Sequence, residues 1–111
     1  MRKKRGVRRH ISFELLKDHV VILYGLDAKA LDRELCNATG YNKTTSQDGR
    51  YIELESLTGD IIRYIWTRYR KPSILAHEAI HCARAILFQR AIDSEEMEAY
   101  LVEAIVRQVA E

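Results

Sequence analysis

The chain has 111 residues, of which 47% are hydrophobic and 31% charged, with a formal net charge of +2. That suffices for one domain with a modest single core, and no Pro/Ser-rich linker or internal repeat argues for more. The charge is uneven: "MRKKRGVRRH" holds six of the 18 basic residues and no acid, leaving 12 basic against 16 acidic residues in the rest.

Residues 1–10 read as a basic flexible arm, ahead of a single domain over 11–111. Such an arm is able to make a weak nucleic-acid contact, although charge runs at termini are usually solvated, and no aromatic residue interleaves this one. It is not expected to be a signal peptide, because Glu14, Lys17 and Asp18 interrupt the stretch that would have to be apolar. "VVILYG" is too short to cross a bilayer. A soluble cytoplasmic protein with no membrane contact is therefore expected. Cys36 and Cys82 agree with that compartment, since two thiols without a CxxC spacing suggest neither a disulfide framework nor a thiolate metal site.

"ISFELLKD" is ambiguous between a short helix and the approach to a strand. "HVVILYG", residues 19–25, is β-branched and aromatic and predicts a buried strand. Asp27 is a candidate N-cap for a helix whose Ala28, Leu31, Leu35 and Ala38 share one face, and Gly40 can end it. Residues 42–49 form a polar loop. "RYIELESL" sets Tyr51, Glu53 and Glu55 against Ile52 and Leu54, and with "IIRYIWTR" beyond the "TGD" turn it predicts a β-hairpin over 50–68. Pro72 and Ser73 open a helix running to about Arg90, with Ala76, Ala79, Ile80, Ala83, Ile86 and Leu87 on its apolar face. Asp93 or Ser94 caps a last helix packed through Met97, Leu101, Ala104, Ile105 and Gln108. The fold class is α+β: a small antiparallel sheet, strand plus hairpin, packed on two C-terminal helices.

The first of those helices carries "HEAIH", residues 77–81. Side chains four apart lie one above the other, roughly 6 Å along the axis, so His77 and His81 can hold one zinc ion. Glu78 stands at the rim of that face, within reach of water activated by the metal, and fits a general base. At this chain's own His and Glu frequencies, H-E-x-x-H arises by chance in roughly one such sequence in a hundred. The competing explanation is two partly buried histidines bonded to backbone or carboxylates.

A zinc site of this kind needs a third protein ligand, and the acids of the last helix, Glu95, Glu96, Glu98 and Glu103, are the candidates. "HEAIH" followed by "EMEAY" resembles the gluzincin pattern. More narrowly, "HEAIHCARAIL" with "DSEEMEAYLVEAI" resembles the small HExxH putative peptidases of phages and prophages. The resemblance covers about residues 50–105, specific in its first half and loose in its second. It implies a minimal zinc metallopeptidase acting on a peptide or protein substrate, in a host cytoplasm if phage-encoded, with Glu96 as third ligand. Two features depart from the pattern: Tyr100 stands where many relatives have Asp, and only 14 residues separate His81 from Glu96. Tyr100 is a candidate oxyanion or ligand-orienting donor, with a core or rim position as the alternative. Asp93-x-x-Glu96 also reads as a capping box, and Glu103 as the partner of Arg107. In a tight helical hairpin Glu103, rather than Glu96, falls opposite residue 80. The alternative to an enzyme is a non-catalytic, zinc-stabilised interaction protein, since small domains gain stability from a structural metal.

Overall fold

A computed structural model describes residues 6–36, 38, 41, 47–56 and 58–110. Residues 1–5 of the expected arm, Gly40 and most of the 42–49 loop lie outside the described residues, but the first helix ends at Leu35, short of the expected Ala38 and Gly40. The order of elements is β1 (Val7–Phe13), β2 (Asp18–Tyr24), α1 (Ala28–Leu35), β3 (Gly49–Glu55), β4 (Ile61–Thr67), α2 (Pro72–Gln89) and α3 (Glu95–Arg107).

The α+β architecture is as expected, and every helix and strand read from periodicity is present. The sheet is larger than strand plus hairpin. Its four strands run in the order β1-β2-β4-β3. The hairpin β3–β4 joins β2 through β4, and that pairing is parallel, so the sheet is mixed. Central strands covered on both faces read as near-continuous apolar runs. "HVVILY" and "IIRYIW" are two such runs, and they lie side by side.

Residues 7–10 correct the expected arm. They form the first half of β1, paired antiparallel to β2 with Val7 opposite Tyr24 and His10 opposite Val21. Val7, Ile11 and Phe13 pack on the core, while Arg8, Arg9 and His10 are exposed along this outer strand. Charge on an edge strand discourages pairing with another chain. The β1–β2 turn closes through the Leu16 amide donating to the Phe13 carbonyl at 3.0 Å, with Lys17 in the left-handed region at φ 54°.

Each face of the sheet has its own core. Val20, Ile22, Tyr24 and Ile65 meet α2 and α3 through Leu75, Ala79, Ala83, Ile86, Leu101 and Ile105. Val21, Leu23, Ile52 and Trp66 meet α1 through Leu31 and Leu35. Each fully buried aliphatic side chain contributes about 1.5–3 kcal/mol of transfer free energy. Asp27 caps α1 by accepting from the Ala30 amide at 2.8 Å, and Trp66 Nε1 donates to the Leu26 carbonyl at 2.8 Å.

Arg63, 1% exposed in the middle of β4, is the polar exception. Its guanidinium donates to Asp18 at 3.1 Å, to the Tyr51 hydroxyl and Glu53 at 2.6 Å each, and to the Gln89 side chain. Burial alone would lower its pKa, but the hydrogen bonds and charges of Tyr51 and Asp18 outweigh that and keep it a cation. The network joins β2, β3 and β4 to the last turn of α2.

Candidate metal centre

α2 starts at Pro72, whose missing amide hydrogen costs nothing in a first turn. Leu75, Ala79, Cys82, Ala83 and Ile86 are buried against the sheet. The small residues let the helix axis approach closely, and the opposite face is left in solvent. His77 and His81 are on that open face, while Glu78, only 8% exposed, sits on the flank toward β3.

The two imidazoles converge. His77 Nε2 and His81 Nε2 are 3.2 Å apart, with the rings edge-on at 85°. Two tetrahedral ligands at metal–nitrogen distances of about 2.0–2.1 Å have nitrogens about 3.3 Å apart, so the pair has nearly the separation a shared cation requires. One ligand atom from each of His77, Glu78 and His81 lies within 4.8 Å of the others, and this is the one metal-capable group of three found among the described residues. An N/N/O donor set of this kind fits a divalent cation of the first transition row.

Gly49, the first residue of β3, shapes the space around Glu78. A Cβ built there would lie 2.6 Å from Ile74 Cγ2 and 3.2 Å from both Cγ and Oε2 of Glu78. The backbone of the outer strand thus rests directly on the carboxylate. Burial pushes the Glu78 carboxyl above the usual carboxylate range, while charge on His77 and His81 pulls the other way.

The α3 residues stand apart from this group. Ser94 is the N-cap, accepting from the Met97 amide at 3.1 Å, so the capping-box reading of Asp93 does not apply. Glu96, Tyr100 and Glu103 follow one another at helical spacing on the solvent side of α3, with Tyr100 59% exposed. Glu103 pairs with Arg107. Glu98 bonds Arg84 at 2.8 Å.

That last bond sets the register of the α2–α3 hairpin. Ala91 in the left-handed region and the Ile92 amide bonded to the Leu87 carbonyl at 2.9 Å turn the chain tightly. Counting in opposite directions from Arg84–Glu98, Glu103 comes about level with Ala79, between the two histidines. Glu96 comes level with Ile86, about 8–14 Å further along the α2 axis at about 1.5 Å per residue. Neither glutamate is part of the gathered group.

The Arg63 network was missed by sequence reasoning, although a lone arginine inside "IIRYIW" was a usable signal. His10 and His19 stack with ring centroids 5.4 Å apart, which follows only from strand register. No helix is long and apolar enough to cross a membrane among the described residues. No family model matches the chain, and no curated protein or solved structure does either.

Proposed function

We propose that the chain is a zinc-dependent hydrolase of peptide bonds, of HExxH type. The observation that carries this reading is the convergence of His77 and His81 with Glu78 beside them on an open helix face. Zinc held there would supply a Lewis acid and make water nucleophilic near neutral pH. His77 and His81 would hold the ion. Glu78, with the Gly49 backbone close against it, would take the proton from the attacking water. A carboxyl whose pKa is raised by burial is a stronger base than a solvated one, which suits that role. β3 is the outer strand of the sheet on this side, so an extended peptide can add to its edge and bring a carbonyl to the histidines.

The third protein ligand comes from α3 in this reading. The resemblance points to Glu96, whereas hairpin register brings Glu103 level with the histidines, where its exposed i,i+4 pair with Arg107, worth a few tenths of a kcal/mol, is readily given up. Tyr100 is assigned no contact with the reacting atoms.

A purely structural metal is the weaker reading. His77 and His81 belong to one turn of one helix, and a ligand from α3 would add only the next element of the same hairpin, so an ion there ties together little that is distant in the chain. Structural sites stabilise by joining separate segments. The test is Glu78→Gln: the variant retains bound zinc and loses peptide hydrolysis. Equal turnover by wild type and variant refutes the mechanism.

A further inference from the structure

A groove of about 850 Å³ opens on the opposite face of the sheet from the histidine turn, beside the short α1, and extends round to Gln89 and Arg90 at the end of α2. Strand alternation builds it. Arg8 and His10 of β1, His19 and Val21 of β2, and Ile62 and Tyr64 of β4 all point to this face, and Arg8 bonds Glu34 of α1 at 2.9 Å. Val21, Ile62 and Tyr64 make an apolar floor that belongs to the α1-side core. The His10 and His19 rings rise from it nearly parallel, 13° apart, and Ser12 Oγ lies 2.9 Å from His19 Nδ1, fixing that ring.

The rim is charged. Arg8, Lys17 and Arg90 face the groove, and its two acids are Asp18 and Asp60. Asp18 pairs with Arg63 and Arg90, Arg8 pairs with Glu34, and Asp60 accepts from the Thr58 hydroxyl at 3.0 Å, so the lining carries one cation in excess of its acids, with exposed Lys17 the lining cation outside these ion pairs among the described residues. Four further basic residues, Arg2, Lys3, Lys4 and Arg5, stand one residue ahead of the strand in sequence.

Flat rings on an apolar floor, with cations at its edge, are what a single strand of nucleic acid needs: faces for bases to stack on and charge for the backbone. We propose that this groove binds single-stranded nucleic acid, with bases against His10, His19 and Tyr64 and phosphates against Arg8 and Lys17. This role is independent of the metal centre, since none of its residues belongs to the histidine turn.

The experiment is fluorescence anisotropy of the full chain, treated with chelator, against a labelled oligothymidylate of about 20 nucleotides and a duplex of equal length, at about 50 and about 200 mM salt. The single strand binds more tightly than the duplex, and affinity falls steeply with salt. His10→Ala/His19→Ala weakens single-strand binding about 10-fold or more. Lys17→Asn, which tolerates the left-handed backbone, lowers the salt slope by about one. All three side chains are exposed, so melting temperatures stay at the wild-type value. No binding, a preference for the duplex, or unchanged affinity in both variants overturns the proposal. The last of these would leave residues 2–5 as the sole contact.

Discussion

Replacing Arg63 with methionine removes one cation from a site that is nearly closed to water. Arg63 is 1% exposed and Asp18 4%, so the substitution strands a carboxylate that cannot be solvated. Breaking a buried pair from one side typically costs about 3–5 kcal/mol. Arg90 remains within 3.4 Å of Asp18, but it is 37% exposed and the contact is long, so it offsets only part of the loss. The expected cost is therefore near the lower end, about 3 kcal/mol. At about 2.1 cal/mol/K of unfolding entropy per residue, or about 4 °C per kcal/mol for 111 residues, the melting temperature falls by roughly 13 °C. Arg63→Met/Asp18→Leu removes both charges, so most of the stability returns. Urea and thermal unfolding of the two single variants and the double variant, followed by circular dichroism, complete the cycle. A single-variant loss below about 1 kcal/mol, or additive losses in the double variant, would refute the view that a desolvated ion pair is what Arg63 contributes.

Three further outcomes follow from the site and the core. Burial raises the Glu78 pKa, so its charged form opposes folding of the metal-free chain, and the associated stability is lost as pH rises through the folded-state value. Metal-free Glu78→Gln is therefore more stable than wild type at pH 7, and thermal melts should show the gap narrowing as pH falls through the raised folded-state value toward about 4.3, the ordinary glutamate value, and constant below it; a gap unchanged by pH contradicts this. Zinc-competition titrations of Glu96→Ala and Glu103→Ala should show weaker binding for Glu103→Ala alone, and the reverse result would reinstate the spacing of the gluzincin pattern. Burial pushes the Cys82 thiol up to about 12, leaving roughly one molecule in 10⁴ as thiolate at pH 8, whereas Cys36 is exposed. A thiol-disulfide reagent should titrate one cysteine in the native chain and both in denaturant; two fast equivalents natively would mean that α2 does not seal Cys82.

The helices and the β3–β4 hairpin were legible because their apolar periods are clean and their ends are marked: Asp27, Pro72 and Ser94 each sit at a helix start. β1 was not. Its Val7, Ile11 and Phe13 are diluted by Arg8, Arg9 and His10, and a basic edge strand has the composition of a solvated tail. The parallel β2–β4 pairing was hidden for another reason. Two buried apolar strands look alike whichever way they run, and direction is decided by the connection through α1 and β3. Within the candidate site, the HEAIH geometry was readable from helical spacing alone. The rest depends on contacts between elements: Gly49 reaches Glu78 through the placement of β3, and the level of Glu103 is set by a tight turn at Ala91. The departures at Tyr100 and in the 14-residue gap were visible in the sequence, and the exposed position of Glu96 is consistent with them.

The most direct measurement is the metal content of the purified protein by elemental analysis, beside the His77→Ala/His81→Ala variant. About one zinc per chain in the wild type, and none in a variant that still folds, is the predicted result. No zinc in the wild type after incubation with excess metal would contradict it, and would leave the 3.2 Å contact as a hydrogen bond between two surface histidines.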